Sequence, residues 1–372
     1  MKRVVFLTGT RADFGKLKSL IEISLEADDF EVFIFATGMH MQRLYGSTVD
    51  EIVKCGYPNI YKFINATSEK SMDLTLAKTI EGLSNFCGEI QPDLIVVHGD
   101  RVEALAGAIV GSLNNILVAH IEGGELSGTI DELIRHSVSK LSHSHFVANT
   151  SAKKRLIQMG EEEASIYVIG SPDVDVMLSK ELPDISFVKD YYDIDFNQYG
   201  LVLFHPVTTE IDQMKAYATR FVNSLLQSEK DYVVVYPNND LGSTHIMESY
   251  EALRDNPRFR LYPSIRFEYF LVLLKNASFI IGNSSAGIRE APYYGIPTIN
   301  IGTRQQNRST HHQIINVEYE EQEICEAIQN SEEIELTKEN LYGEGNSNEK
   351  FIQTLKSEEF WQINKQKQFK DI

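Results

Sequence analysis

Two segments in the first half of the chain carry the residues best suited to chemistry. DLIVVHGDR and NILVAHIEGGE each take an apolar run directly into a histidine, one further residue and a carboxylate. Because side chains alternate along a strand, His98 with Asp100, and His120 with Glu122, are each expected to project to one side. Open α/β sheets bind ligands beyond the carboxyl ends of their strands. The sequence therefore predicts an acid/base cluster at one sheet edge.

Metal binding is the alternative function for these pairs, because imidazole beside carboxylate is a common ligand set. The longer ligand patterns of metal hydrolases, HxHxDH and HExxH, do not occur in the chain. We therefore favour proton transfer over metal binding and expect no metal.

The segment GTRADFGKL brings Gly9, Arg11, Gly15 and Lys16 to the start of the first predicted helix. Unpaired N–H groups and the helix dipole favour an anion there. Because GxGxxG and GxxxxGK[ST] are both absent, neither a dinucleotide cofactor nor a P-loop ATPase is indicated. The alternative is a tight turn in which Arg11 and Lys16 are merely solvated.

A second anion site is predicted in FIIGNSSAGIREAPYYGIP, where a strand leads into Gly282, Asn283, Ser284 and Ser285. Hydroxyls and adjacent N–H groups suit a diphosphate, and Glu290, about one turn further on, suits ribose hydroxyls. The alternative is that Asn283 or Ser284 simply caps the helix.

Two further features of the second half are candidates for the site. His205 stands at the end of a predicted strand in LVLFHPVTTE. A lone histidine is more often structural than catalytic, but this position makes a functional role as well supported as a structural one, and both stay open. In GTRQQNRST, Arg304 or Arg308 is a weaker candidate for contact with an anion.

The composition limits the classes of protein to which the chain can belong. Its 372 residues exceed the size at which single cores stop growing, so two domains are expected. A formal charge of −18 argues against nucleic acid or an anionic membrane as the main partner. Three widely spaced cysteines, no signal peptide and no membrane span predict a cytoplasmic protein.

The elements that position these residues alternate between short β-branched runs and amphipathic helical periods, which is typical of parallel sheets flanked by helices. A polar, weakly periodic stretch separates two series of strands, and the strand pattern disappears after Gly302. The predicted strands are Val4–Thr8, Val32–Thr37, Leu94–Val97, Ile116–Ala119, His145–Ala148 and Ile166–Val168, then Tyr199–Phe204, Tyr232–Tyr236, Arg258–Tyr262, Phe279–Gly282 and Thr298–Ile301.

We predict an α/β protein of two Rossmann-like domains facing one another across a cleft, with a C-terminal helix closing over them. The predicted parts are an N-terminal domain at 1–172 with the acid/base cluster, a linker at 173–198, a nucleotide-binding domain at 199–348 and a helical tail at 349–372.

Taken in order, GTRADFGKL, VVHGDR, HIEGGELSGTIDELIRH, FHPVT and GNSSAGIREAPYYGIP resemble the UDP-N-acetylglucosamine 2-epimerase family. The resemblance spans nearly the whole chain, and GGE-x-SGT-x-D is similar to the hydrolysing branch that opens sialic-acid and related nonulosonic-acid biosynthesis. It implies a GT-B-like fold, a nucleotide bound mainly by the C-terminal domain, and neither metal nor nicotinamide cofactor.

The resemblance also implies a reaction. UDP-N-acetylglucosamine loses UDP by elimination to 2-acetamidoglucal, and water then adds with inversion at C2 to release N-acetylmannosamine. The residues that the resemblance implies as catalytic are Asp100, Glu122, Asp131, His205, His98 and Arg101. Those expected at the substrate or UDP are Arg11, Lys16, His120, Arg266, Gly282, Ser284, Ser285 and Glu290.

Within these sets the resemblance implies particular roles. His205 would act near the leaving phosphate, and Arg101 with His98 would orient the carboxylates. The family also implies a homodimer or homotetramer.

Several alternatives remain open at this stage. The same reaction can act on UDP-N,N'-diacetylbacillosamine, and a GT-B glycosyltransferase would pass the sugar to an acceptor. A metal-dependent hydrolase and a nucleotide-sugar sensor without turnover belong to other classes.

Overall fold

A computed structural model gives the structure of the chain. It describes residues 1–66, 71–127, 129–305, 312–331, 334, 337–338 and 342–368. The chain divides into two compact units. Unit 1 comprises Met1–Leu126, Asp131–Lys180 and Tyr342–Ile372, and unit 2 comprises Ser127–Ile130 and Glu181–Leu341.

Unit 1 is built on a parallel sheet, to which its described residues contribute seven strands. The strands are β1 (Lys2–Thr8), β2 (Phe30–Ala36), β3 (Ile60–Lys62), β4 (Leu94–His98), β5 (Leu117–Ile121), β6 (Ser144–Val147) and β7 (Ile166–Val168). The helices before its C-terminal segment are α1 (Arg11–Leu25), α2 (Val49–Lys54), α3 (Met72–Ile90), α4 (Val102–Leu113), α5 (Thr129–Leu141), α6 (Thr150–Gln158) and α7 (Pro172–Met177). The spatial order is β3-β2-β1-β4-β5-β6-β7.

Helix α1 shows how the local sequence builds this unit. Thr10 begins the helix, because its hydroxyl accepts a hydrogen bond from the Asp13 N–H at 3.1 Å. Phe14, Leu17 and Ile21 recur at helical spacing and are buried in the core below the sheet. The sequence after β1 therefore turns into a helix that holds its first turn at the carboxyl end of the strand.

Unit 2 is a second parallel sheet, to which its described residues contribute six strands in the order β10-β9-β8-β11-β12-β13. The strands are β8 (Gly200–Leu203), β9 (Tyr232–Val235), β10 (Phe259–Tyr262), β11 (Phe279–Gly282), β12 (Thr298–Ile301) and β13 (Ile314–Val317). The helices are α8 (Ile185–Tyr192), α9 (Ile211–Gln227), α10 (Ser243–Tyr250), α11 (Phe267–Lys275), α12 (Ala286–Tyr294) and α13 (Glu321–Asn330). This is the strand order of a Rossmann sheet.

The C-terminal segment packs on the core of unit 1 through α14 (Ser347–Lys356) and α15 (Glu358–Trp361). The Phe351 ring lies 6.3 Å from the Phe6 ring and 4.8 Å from the Phe146 ring, centroid to centroid. Fully burying a side chain of this size contributes about 1.5–3 kcal/mol. The predicted helical tail is therefore an integral layer of unit 1.

Beyond α15, the tail ends in a buried ion cluster. Lys367 Nζ donates to Glu161 Oε2 at 2.5 Å, and His145 Nε2 lies 3.0 Å from the same oxygen. Burial opposes the charge of Glu161, but the contacts with His145, Lys367 and Lys140 outweigh it and lower the pKa of Glu161 to about 2. The cluster ties the end of the described chain to β6 and to the segment that follows α6.

The α/β class and its two parallel sheets are confirmed, and all eleven predicted strands are present. Strand β3 was missed because its three residues, IYK, are largely exposed and form no apolar run. The prediction that strands end after Gly302 is wrong, since β13 pairs with β12 and has only two consecutive apolar residues before Asn316.

The predicted linker region contains α7 and α8. The domain bounds drawn from the sequence stay a prediction. Among the described helices, none combines the length and apolar character needed to cross a bilayer.

Candidate active site

In unit 1 the carboxyl ends of β1, β4 and β5 lie side by side, and the strand order reverses between β1 and β4. Such reversals are where open α/β sheets bind ligands. In the register of β4 and β5, His98 lies opposite Ile121, one residue before Glu122. The side chains predicted to form the acid/base cluster therefore leave the sheet at neighbouring points.

Glu122 is the centre of the cluster. Its Oε1 accepts a hydrogen bond from the Ser171 hydroxyl at 2.8 Å and lies 4.0 Å from Lys16 Nζ, while its Oε2 lies 3.3 Å from His98 Nε2. The residue is buried, with 4% of its surface exposed, and its φ of 64° is left-handed. A non-glycine residue in that region costs on the order of 1–3 kcal/mol and is typical of functional sites.

Lys16 is buried between two carboxylates. Besides its approach to Glu122, its Nζ lies 3.2 Å from Asp173 Oδ2, and Asp173 is also buried. The lysine predicted to bind an anion thus balances the charge of this cluster. Ser171 and Asp173 were missed, because nothing in GSPDVDVM distinguishes them from ordinary residues at a helix start.

Arg135 connects the two predicted catalytic segments. Its guanidinium donates to the Asp100 carboxylate and to the backbone carbonyl of Glu122, the latter at 2.5 Å. Asp131 lies one helical turn earlier on α5, so both residues are on one face of the helix. Arg135 was missed by the sequence analysis, although its i+4 spacing from Asp131 in TIDELIRH was a usable signal.

Asp13 is a further carboxylate that the sequence analysis missed. Its Oδ2 accepts hydrogen bonds from the Gly9 N–H at 2.8 Å and the Thr8 hydroxyl at 3.1 Å, and its Oδ1 lies 3.5 Å from His98 Nδ1. Burial raises the pKa of Asp13, while His98 and the Gly9 and Thr8 donors oppose that rise. His98 therefore lies between Asp13 and Glu122.

His120 is fully buried. Its Nε2 lies 2.8 Å from the Gly99 carbonyl oxygen and its Nδ1 lies 3.1 Å from Ser139 Oγ. Burial lowers the pKa of His120 to about 3, so the ring is neutral. Both nitrogens thus have partners within unit 1, and the ring supports the turn at Gly99. The alternation of side chains does not continue past the ends of β4 and β5, because Gly99 and Glu122 both have left-handed φ values. Alternation therefore does not determine the side to which Asp100 and Glu122 project.

The two arginines of unit 1 that were predicted at the site, Arg11 and Arg101, each lie beside a glutamate. The Arg11 guanidinium contacts the Glu51 carboxylate of α2, and Arg101 Nε lies 3.6 Å from Glu103 Oε2. Among the described residues, no group of three or more His, Cys, Asp or Glu side chains has a metal-binding arrangement.

In unit 2, His205 and Asn283 join the ends of adjacent strands. The His205 N–H donates to Asn283 Oδ1 at 2.7 Å, and Asn283 Nδ2 donates to the His205 carbonyl at 2.9 Å. The Asn238 N–H donates to His205 Nδ1 at 3.1 Å, which leaves the proton of the neutral ring on Nε2. Sequence analysis did not find Asn238.

The turn from β11 into α12 is shaped by Gly282 and Asn283. Gly282 has a φ of 135°, and a Cβ there would lie 2.0 Å from the Leu203 carbonyl oxygen. Arg304 Nη1 and Gln305 Nε2 both donate to the Asn283 carbonyl, at 3.1 and 3.0 Å. Arg304 therefore lies at the predicted anion loop, whereas Arg308 is outside the described residues.

Helix capping accounts for only part of this turn. The Asn283 side chain is engaged by His205 and does not cap α12, while Ser284 Oγ accepts from the Ala286 N–H at 3.3 Å. In the part of the chain that the structure describes, the Ser285 hydroxyl makes no capping hydrogen bond. Glu290 is buried in the second turn of α12.

Arg266 begins α11. Its guanidinium lies 5.2 Å from the centre of the Tyr269 ring, and its Nη1 donates to the Tyr269 hydroxyl at 3.3 Å. The Tyr269 ring and hydroxyl therefore help to hold the guanidinium in place.

A sequence profile described as UDP-N-acetylglucosamine 2-epimerase matches residues 23–356. A protein of that description from Neisseria meningitidis serogroup B is 48% identical over 377 residues, covering 100% of both chains. The chain belongs to the UDP-N-acetylglucosamine 2-epimerase family. A UDP-N,N'-diacetylbacillosamine 2-epimerase (hydrolyzing) from Legionella pneumophila is 32% identical and covers 96% of each chain.

The fold is also that of this epimerase family. The crystal structure of UDP-GlcNAc 2-epimerase from Methanocaldococcus jannaschii, in complex with UDP-GlcNAc and UDP, matches with a TM-score of 0.82 and 22% identity. It covers 95% of this chain and 99% of that chain. The chain is therefore an enzyme of the epimerase family with a GT-B-like fold. The matched profile covers all the residues predicted to be catalytic or to bind substrate except Arg11 and Lys16, which precede it.

Proposed function

We propose that this enzyme is a hydrolysing UDP-N-acetylglucosamine 2-epimerase, which converts UDP-N-acetylglucosamine and water into UDP and N-acetylmannosamine. The observation that carries the proposal is the joint attachment of Asp100 and Glu122 to Arg135 at the ends of adjacent strands. The 48% identity to the Neisseria epimerase and the hydrolysing Legionella relative support it.

The reaction explains why carboxylates and cations occur together. The C2 proton of the sugar has no adjacent carbonyl to acidify it, so it leaves only as the C1–O bond to UDP breaks. Donors and cations that stabilise charge on the departing diphosphate can contribute several kcal/mol. We assign this task to Arg11, Ser284 and Ser285, with His205 near the leaving phosphate.

Inversion at C2 explains why several carboxylates are needed. In the first half-reaction the C2–H and C1–O bonds break and a C1=C2 double bond forms. In the second, water oxygen bonds to C1, a proton is lost from that water, and a proton bonds to C2 on the opposite face. One acid/base group does not serve both faces easily, and we assign the two proton transfers to members of the set Asp100, Glu122 and Asp131.

The remaining predicted residues have supporting roles in this proposal. We place Lys16, His98 and Arg101 with the carboxylates, and Gly282, Glu290 and Arg266 with the nucleotide. His120 supports the turn that carries Asp100, and its predicted contact with substrate stays a prediction. We expect the assembly implied by the family, a homodimer or homotetramer, which sedimentation velocity measures directly.

Proton NMR of the reaction in D₂O tests the function. UDP-N-acetylglucosamine alone should give UDP and N-acetylmannosamine that carries deuterium at C2. Asp100→Asn and Glu122→Gln should abolish turnover and keep UDP binding, whereas the exposed control Asp195→Asn should behave as wild type. Full turnover in both site variants, or sugar release only when an acceptor is added, would overturn the assignment.

A second substrate is favoured by the Legionella relative, which is a UDP-N,N'-diacetylbacillosamine 2-epimerase. The same NMR assay, run with each nucleotide sugar in turn, shows which of the two is the better substrate. A higher kcat/KM for the diacetylated sugar would move the assignment to it without changing the mechanism.

We also propose that the protein acts in the cytoplasm. None of the three cysteines, all of them among the described residues, takes part in a disulfide, which fits a reducing compartment. Fractionation of the producing cells tests this.

A further inference from the structure

We propose that Asp13 is a positioning residue that acts through His98, and that Asp13, His98 and Glu122 form a proton relay. The relay would change the protonation of Glu122 between the two halves of the proposed reaction. This inference rests on the proposed function and adds a residue to which no role has been assigned.

One end of the relay is held by a chain of hydrogen bonds behind Asp13. His40 Nδ1 lies 2.7 Å from Thr48 Oγ1, and His40 Nε2 lies 3.0 Å from Thr8 Oγ1. Because the single hydroxyl proton of Thr8 is donated to Asp13, the proton between Thr8 and His40 comes from His40 Nε2. Burial lowers the pKa of His40 to about 3, so the ring is neutral and its Nδ1 accepts from Thr48.

These donors determine which oxygen of Asp13 meets His98. Thr8 and the Gly9 N–H both occupy Oδ2, so Oδ1 faces His98 Nδ1 at 3.5 Å. Asp13 Oδ1 and His98 Nε2 are buried, and neither has an aligned hydrogen-bond partner among the described residues. Each buried polar atom without such a partner lowers the stability of the folded protein by about 1–3 kcal/mol. A role in proton transfer would explain why this destabilising arrangement is present.

The other end of the relay is Glu122, whose Oε2 lies 3.3 Å from His98 Nε2. His98 is thus separated from Asp13 by 3.5 Å and from Glu122 by 3.3 Å, slightly more than the length of a hydrogen bond. Catalytic hydrogen bonds are often this long outside the substrate complex. The Ser171 hydroxyl donates to Oε1 of Glu122 at 2.8 Å, on the carboxylate oxygen that does not face the imidazole.

The relay transfers protons without any other reactant. A proton moves from Glu122 Oε2 to His98 Nε2 while the Nδ1 proton of His98 moves to Asp13 Oδ1. One neutral imidazole is converted into its other tautomer, Glu122 becomes a carboxylate and Asp13 a carboxylic acid. The reverse movement returns the proton to Glu122.

The surroundings suit a carboxylate that can hold a proton. Burial raises the pKa of Asp13, and Glu103 of α4 raises it further. Further charged or titratable groups near the relay, among the described residues, include Lys16 from α1, beside Glu122, and Asp173 from α7, which pairs with Lys16. His120 from β5 interacts with His98. Arg135 from α5 contacts the Glu122 backbone.

Asp13→Asn separates a relay from a packing role. The amide can keep the Thr8 and Gly9 hydrogen bonds through its oxygen and donate to His98 Nδ1, but it cannot accept a proton from the ring. We expect kcat to fall by about 100-fold or more with KM within about threefold, because proton-transfer groups contribute about 10²–10⁴-fold. The kcat–pH profile should lose one limb, and UDP affinity should not change.

Asp73→Asn is the matched control, because Asp73 also lies in the first turn of a helix and is exposed. We expect wild-type kinetics from this variant. If Asp13→Asn does not fold, as judged by circular dichroism, His98→Gln breaks the other link and should lower kcat in the same way. Wild-type kcat and pH profile in Asp13→Asn, or in His98→Gln where that variant replaces it, would overturn the relay.

Nitrogen-15 NMR of the His98 ring tests the relay without turnover. In Asp13→Asn the ring should be held as the Nε2–H tautomer, while in wild type the tautomer should respond to pH together with Asp13. Identical ring shifts and pH responses in the two proteins would overturn the proposal. If the wild type fails to convert UDP-N-acetylglucosamine, the proposed function fails, whereas this NMR comparison still decides the relay.

Discussion

Replacing Arg135 should separate substrate chemistry from nucleotide binding. Arg135→Met keeps the length of the side chain and removes the guanidinium that holds both Asp100 and the Glu122 carbonyl. Because Arg135 belongs to unit 1 and the predicted UDP residues are mostly in unit 2, UDP affinity should remain within about threefold of wild type.

The size of the effect follows from the two hydrogen bonds. A bond to a charged group contributes about 1.5–3 kcal/mol and one to a backbone carbonyl about 1 kcal/mol. Losing both hydrogen bonds, about 2.5–4 kcal/mol in all, would lower kcat/KM by about 10²–10³-fold, since each 1.36 kcal/mol is tenfold. Arg135→Lys should recover part of this loss, because an ammonium can reach one of the two acceptors but not both in fixed geometry.

The assay is the release of UDP under initial-rate conditions, with UDP affinity measured separately by calorimetry. Arg220→Met is the matched control, because Arg220 forms an exposed ion pair with Glu320 and should leave both quantities unchanged. A kcat/KM for Arg135→Met within threefold of wild type would refute the inference that Arg135 orients the carboxylates. A large loss of UDP affinity would show that the residue acts on the nucleotide instead.

Three further predictions concern binding and stability. Gly282→Ala should lower the free energy of unfolding by about 1–3 kcal/mol in thermal melts, since its Cβ would meet the Leu203 carbonyl and its φ is strained for alanine; an unchanged Tm would contradict this. Replacing Ser284 and Ser285 by alanine should weaken UDP binding about tenfold in calorimetry, and an unchanged Kd would leave them only a structural role. Because the folded-state pKa of Glu161 is depressed, its contribution of up to about 3 kcal/mol should be present above pH 4.5 and be lost as pH falls towards about 2. Urea unfolding at several pH values should show this loss in wild type, and an equal loss in Glu161→Gln would disprove it.

The sequence was most informative about strands that combine several β-branched residues with a turn. All eleven predicted strands are present in the two sheets, and the two strands that were missed, β3 and β13, lack an apolar run of three residues. Their pairing comes from neighbouring strands, which supply hydrogen bonds to a short segment whatever its own propensity. Short edge strands are therefore invisible to a pattern that depends on local hydrophobicity.

In the candidate site, too, local sequence predicted some side chains, whereas others depend on contacts between distant parts of the chain. His98 and Glu122 were found because each follows a strand, and the register of β4 and β5 brings them together. Asp13 and Ser171 were not found, because they meet His98 and Glu122 across long separations in sequence. Both nitrogens of His120 contact the protein, and its expected contact with the substrate stays a prediction.

The sequence alone determined which strands end in functional residue types, since alternation and strand length are properties of a few consecutive residues. It also determined the family, through motifs kept in order along the chain. Only the tertiary structure decided which carboxylate meets which cation. That pairing depends on the register of parallel strands and on left-handed backbone at Gly99 and Glu122, where local alternation no longer directs the side chains.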